Sequence, residues 1–516
     1  MNASALLVLL ALAGTPVGCS VAPGRDTLFT STRRSTGIVV RPDGTVWAGT
    51  PGGLLHHPPN GRWEKLTESD GLPSHEVQAL RVEQGELVVV FPTALARRRG
   101  DAWRVEPRPD PGSPAPRPEA AWRGQIWEAE FTGLRVRGTS PAELVPLPPS
   151  SGTHASALLG RGETLWAAMF GDGLWEFQGR KWRPAALTVP AEAREITALA
   201  EGGGSLWLGT RRAGLWEQAG QTWRRHRIEN EPYSDNIQSL AAFRGELWGS
   251  TLEDGLVRLT RAGWEHYTAP ELSSAAPRQM VVFQDRLYVR HGSGQVDQFD
   301  GATWTRDVWR THPRRQAFAL AVREGRLYAG RWGGWSEWDG SRWSHHLQVD
   351  DLQGRAPTTL LPDGPRLWFG TQGRGLAEVE RATGQVRWHD ERHGLPDDWI
   401  TALGRAEGRL YAGTFLGGAA SYDGARWTPT PGTAGRCVTA VTEDPSGKVV
   451  LGTRTGLVLP AGPTAPVRRP LVDGEVQALL AEGSGLWVGS RAGLAFLTWS
   501  PPAAAPNAAG PALRSD

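Results

Sequence analysis

Seven side chains of this sequence pair chemical capability with a regular spacing: the aromatics Phe131, Phe170, Trp332 and Phe415, and the arginines Arg211, Arg454 and Arg491. They recur at about forty-residue steps, each just after a short strand motif. Aromatic faces stack on sugar rings, and an arginine fork holds a carboxylate or sulfate through two parallel hydrogen bonds. The same residue types also supply most hot spots of protein interfaces. Arg212, Gln372 and Arg374 share these loops and complete the candidate ligand-binding set. A surface turn is ordinarily polar or glycine-rich, so this composition points to recognition. The competing reading is that the side chains pack over the rim of the fold.

Catalytic signatures are sparse. The sequence contains no Gly-x-Ser-x-Gly elbow, no phosphate loop and no His-Glu-x-x-His. His56-His57 and His345-His346 lie in extended segments, where neighbours point to opposite faces and do not readily share an ion. No metal, cofactor or catalytic residue is assigned. A polysaccharide lyase or glycosidase stays open as an alternative, because its acid and base would come from distant repeats. A structural scaffold is the third reading.

The elements that position these loops are strands. Val46-Trp47-Ala48-Gly49-Thr50, Leu206-Trp207-Leu208-Gly209-Thr210, Leu367-Trp368-Phe369-Gly370-Thr371 and Leu486-Trp487-Val488-Gly489-Ser490 are copies of one motif, followed by Gly-Leu. Its aromatic position runs Trp47, Val88, Trp127, Trp166, Trp207, Trp248, Tyr288, Tyr328, Trp368, Tyr411, Val450 and Trp487, which is twelve units, the second and eleventh degenerate. An alternating run such as Ile196-Thr-Ala-Leu199 precedes each motif, as expected of a half-buried strand. Asp-Gly turns such as Asp300-Gly301 follow, and then a strand opening on tryptophan, as at Trp63, Trp103, Trp182 and Trp223. Four short antiparallel strands per unit, repeated radially, predict an all-β fold of twelve four-stranded β-propeller blades. The repeated tryptophans are then packing residues between blades.

Propellers usually carry four to eight blades, so two rings of about six are expected. They would occupy residues 20–268 and 278–500, with Thr27–Thr32 as the strand that completes the last blade. Residues 501–516 form an Ala/Pro-rich tail. Pro107–Pro118 reads as an extended, semi-rigid surface loop.

Composition bounds the partners. Formal net charge is +2 over 516 residues, which argues against nucleic acid. Positive charge is nearly all arginine, lysine occurring only at Lys65, Lys181 and Lys448. Residues 1–19 read as an export signal, with an apolar run at Ala5–Ala13 too short to span a bilayer. It ends in Thr15-Pro16-Val17-Gly18-Cys19, a lipobox-like end that predicts a lipid-anchored Cys19 at the outer membrane, or else a periplasmic protein. The other cysteine, Cys437, lies in an alternating strand, so no disulfide is expected.

The Leu-Trp-x-Gly-Thr…Gly-Leu unit, with Gly71-Leu72-Pro73-Ser74 and Gly394-Leu395-Pro396-Asp397 before the inner strand, resembles the two-component regulator propeller repeat of periplasmic regions of bacterial hybrid sensor kinases. The resemblance spans roughly residues 27–500. It implies ligand binding on the face that carries these loops, and their aromatic and arginine positions point to an oligosaccharide or an envelope protein partner. No kinase or membrane span follows the last repeat, so a stand-alone exported binding protein is expected.

Overall fold

The computed structural model describes residues 26–498 apart from 60, 101, 111–116, 140–143, 151, 180, 221, 230, 313–315, 353–354 and 460–473. Cys19, the 1–19 leader, the 501–516 tail and part of Pro107–Pro118 lie outside the described residues. Nearly all secondary structure is antiparallel strand, and no described helix is long and apolar enough to cross a membrane.

The strands form twelve separate sheets, the blades of a β-propeller fold: eleven have four strands and one has three among the described residues. Blades 1–6 span residues 37–66, 79–107, 119–146, 155–184, 196–226 and 237–267. Blades 7–11 span 277–305, 319–346, 359–389, 400–429 and 438–458, the last being the three-stranded one. Blade 12 joins 476–498 to the N-terminal strand Thr27–Phe29, which pairs antiparallel with Gly493–Thr498 through Leu28 opposite Ala495.

The motif residues explain themselves in three dimensions. The hydroxyl that ends the second strand donates to the carbonyl of the glycine after the turn, at 2.7 Å from Thr50, 2.9 Å from Thr210 and 2.8 Å from Thr371. The preceding glycine leaves room for the next blade: a Cβ on Gly209 would sit 2.3 Å from Ser35 Oγ, and one on Gly489 would sit 2.6 Å from Ile237. The central aromatic, present in every blade but 2 and 11, points forward into the following one. Outer-strand tryptophans reach back to meet it edge-on, Trp304 against Trp248 at 6.0 Å and Trp427 against Trp368 at 6.5 Å.

Ring closure departs from the even split. Trp207 and Ala198 of blade 5 pack with Ile38, Val46 and Leu55 of blade 1, and their inner strands lie side by side. Ile237, Leu247 and Val257 of blade 6 pack with Trp487 and Leu494 of blade 12. The twelve blades therefore make a ring of five, blades 1–5, and a ring of seven, blades 6–12. The expected boundary at 269–277 instead falls inside the seven-bladed ring, between its blades 6 and 7. Every blade offers the same kind of apolar face, so nothing in the repeat itself says which blade closes on which. Because Thr27–Phe29 belongs to blade 12, the chain passes twice between the rings, along residues 30–36 and 227–236.

Candidate functional site

The variable loop between the second and third strands of each blade opens on one face of its ring. The hydroxyl–glycine clasp described above fixes the turns of blades 1, 5, 6 and 9 to 12, so the residue after it projects from a rigid base there. Phe131, Phe170 and Trp332 follow Glu130, Met169 and Arg331 and have no such clasp. On that face the candidate residues fall into three groups, with Arg211 and Arg491 belonging to two of them.

The first group faces solvent. Phe131 of blade 3 is 80% exposed and Trp332 of blade 8 is 47% exposed. Its neighbour Trp335 is buried and stacks on His346 at 4.4 Å, so the tryptophans of that blade form no common platform.

The second group ties blades together. Phe415 lies 4.2 Å from Trp399 in a near-parallel stack, and the Arg454 guanidinium sits 4.9 Å from the same ring. A single β-bridge joins Trp399 to Gln372. Arg454 and Arg491 share Glu475, at 3.3 and 2.8 Å. Gln372, Trp399, Phe415, Arg454, Glu475 and Arg491 thus form one chain of contacts over blades 9 to 12. Phe170 stacks on His154 at 5.4 Å with Arg211 6.0 Å from its ring, and Arg374 covers Trp388 at 4.1 Å. Aromatic rings whose faces are engaged in this way have little surface left for a sugar.

The third group converges. Arg211 and Arg212 of blade 5 meet Arg491 of blade 12 across a cleft of about 280 Å³ between the two rings. The two inter-ring passages complete it with Arg33, Arg34, Tyr233 and Asp235, and blade 6 adds Leu252, Glu253 and Asp254. Five guanidinium groups therefore face three carboxylates. Arg211 and Arg212 reach Glu253 at 3.5 Å each, and Arg212 also lies 3.7 Å from Asp254 and 3.8 Å from Glu195, contacts long enough to leave fork positions open. Arg33 lies 4.0 Å from the Tyr233 ring, whose other contact is a parallel stack on His266 at 3.6 Å. Arg34 is exposed, with no ion pair among the described residues. An arrangement of this kind can hold an anionic group bidentately beside an aromatic edge. Glu253 pairs with Arg211 and Arg212, Asp254 with Arg212, and Asp235 accepts from the Ser31 N–H.

The floor of the cleft is a polar joint. Ser31 N–H donates to Asp235, and Thr32 donates to Glu231 from both N–H at 2.8 Å and Oγ1 at 2.7 Å. Lys65 Nζ donates to the Thr30 carbonyl at 2.6 Å. His75 pairs with Glu68 at 2.7 Å and reaches the Ala492 carbonyl of blade 12 at 3.0 Å. Burial pushes the Asp235 carboxyl up to about 7, raises Glu231 and lowers Lys65. Burial alone would depress His75, but its bond to Glu68 and that carboxylate's charge outweigh burial and raise it.

Sequence spacing missed Arg33, Arg34, Tyr233 and Asp235, because they lie on connectors outside the repeat. The one local signal is the Arg33-Arg34 pair directly before the first inner strand.

No protein-family model matches the sequence, and no curated protein matches it significantly. Among solved structures, the extracellular domain of the hybrid two-component system BT4673 of B. thetaiotaomicron is similar at 15% identity and a TM-score of 0.44, over 90% of this chain and 70% of that one. The extracellular domain of BT3049 from the same organism gives 13% and 0.30 over 91% and 82%. PorZ, a surface component of the type-IX secretion system of Porphyromonas gingivalis, gives 13% and 0.38 over 93% and 88%. At these identities and scores no residue role and no activity carries over to this chain.

Proposed function

We propose that this chain is an exported, non-catalytic propeller binding protein, anchored through Cys19, that takes an anionic ligand in the cleft between its rings. The observation that supports it is the convergence of Arg211, Arg212 and Arg491, drawn from two rings, with Arg33 and Arg34 on one concave surface. The ligand is an acidic oligosaccharide or an acidic segment of an envelope protein. Charged hydrogen bonds of this kind contribute roughly 1.5–3 kcal/mol each, so two of them account for more than tenfold in affinity. Calorimetric titration with carboxylated and neutral oligosaccharides of equal length tests it. Acidic ligands should bind, and Arg34→Ala with Arg212→Ala should weaken them at least tenfold without lowering the melting temperature. Equal binding of neutral and acidic ligands would sink the assignment, as would an indifferent double variant.

A second reading, a scaffold, draws support from the chain of contacts over blades 9 to 12, where Phe415 and Arg454 are spent on packing. Phe415→Ala then reduces stability and leaves ligand capture intact.

A further inference from the structure

One of the twelve junctions between blades is built differently from the rest. Eleven are filled by a buried apolar cluster: four in the five-bladed ring and all seven in the other. The junction between blades 2 and 3 has no such cluster among the described residues.

Four separate ties are missing there. The forward aromatic of blade 2 is Val88, and the outer strand of blade 3, Val145–Pro146, brings no tryptophan back. The backward-facing residue after the aromatic is apolar or glycine in every other blade, as in Ala48, Ala167, Leu208, Val289 and Val488, but in blade 3 it is Glu128. Inner-strand hydroxyls elsewhere reach the next blade, Thr36 to the Val77 carbonyl at 2.9 Å and Thr197 to the Ser35 carbonyl at 2.7 Å. The matching residue of blade 2, Gln78, instead accepts from Arg108 beside its own blade at 2.7 Å. Rim ion pairs such as Arg123–Glu163 and Arg161–Glu201 clamp the next two junctions, both at 2.9 Å, and have no counterpart here among the described residues.

In place of these ties stand two charge ladders. Strand register puts Arg81, Val88, Arg97 and Arg104 on one face, and Glu119, Glu128 and Arg135 on the face opposite. Arg97 holds Glu83 at 2.7 Å and Glu106 at 2.8 Å, while Arg135 holds Glu128 at 2.8 Å and Glu130 at 3.0 Å. Arg137 adds bonds to Glu128 and Glu119. Each ladder is satisfied within its own blade, and no ion pair crosses between these residues. Such walls lose less on parting than an apolar cluster does, because their ion pairs stay within each blade; the cost that remains is exposure of Val88, Val90 and Leu95, which are buried on the blade 2 side.

We propose that the blade 2–blade 3 junction is a built-in seam at which the five-bladed ring opens, while its other four junctions and the whole seven-bladed ring stay shut. Hydrogen–deuterium exchange on the full chain tests it. Amides of the inner strands Ala79–Glu83 and Glu119–Trp122 should exchange at least tenfold faster than those of Val438–Glu443 and Val476–Glu482, the inner strands of blades 11 and 12. The double variant Val88→Trp, Glu128→Val restores the residue types used elsewhere and should slow exchange at the first pair about tenfold, leaving the second pair unchanged. Equal exchange of the two pairs in the wild type overturns the proposal even if the variant does not fold. So does a folded variant whose seam exchanges as before.

Discussion

The junctions between blades 2 and 3 and between blades 11 and 12 have lost the same two pieces of packing. Val88 and Val450 replace the forward aromatic, and neither following blade returns an outer tryptophan. Their outcomes differ. Between blades 11 and 12, Val450, Leu457, Val476, Leu486, Val488 and Leu497 close into a buried cluster, with Leu28 of the N-terminal strand packed on it. Between blades 2 and 3 the same space is bordered by Arg81, Arg97, Glu128 and Arg135. Loss of the ring alone is therefore repaired by aliphatic volume; what makes a seam is the choice of charge at the position facing backward.

Exchanging that one position is the harshest way to break the contrast. Val488→Glu places a carboxylate in the blade 11–12 cluster with no equivalent of Arg135 or Arg137, and should cost about 3–5 kcal/mol in chemical denaturation. Leu28→Ala comes next. It thins the same cluster and loosens the strand that completes blade 12, for an expected loss of about 1–3 kcal/mol with fraying first at Thr27–Phe29.

The joint between the rings sharpens the point that partners decide the fate of a carboxylate. Two guanidinium groups hold Glu128 below the usual carboxylate range, the Arg137 bond contributing most. Asp235, buried beside Glu231, is instead raised to about 7. The folded state thus binds the Asp235 proton more tightly than the unfolded chain, and stability should fall as pH rises from about 4 to about 7. Asp235→Asn keeps an acceptor for the Ser31 N–H and removes that charge. Its melting temperature should match the wild type below about pH 4 and exceed it increasingly up to about pH 7 and above; Glu231, Lys65 and His75 face the same site and set how large the difference is. The smallest effect belongs to Glu128→Val alone, within about 1 kcal/mol of neutral, because Arg135 keeps Glu130 and Arg137 keeps Glu119.

Much of this was legible in the letters. The Gly-Thr…Gly motif announces a strand, a clasped turn and a close approach of the next blade, and the structure shows each at Gly209, Thr210 and Ser35. Val88 and Glu128 are visible as single departures from a repeat, although their meeting at one junction depends on knowing that the aromatic points forward and the next residue back. The candidate loop residues were legible only as a set. Their types do not tell Phe131, which is exposed, from Phe415, which lies between Trp399 and Arg454.

The sequence by itself determined the blade. Period-two alternation, turn glycines and one large ring per unit are local requirements, met within about forty residues. Tertiary structure decided the count in each ring and the site between them. Blade faces are chemically alike, so closure depends on which two faces meet once curvature has accumulated, and five plus seven satisfies that as well as six plus six would. The cleft follows from that closure, since it brings Arg211 and Arg491 together from positions 280 apart in the chain, with connector arginines that belong to no repeat.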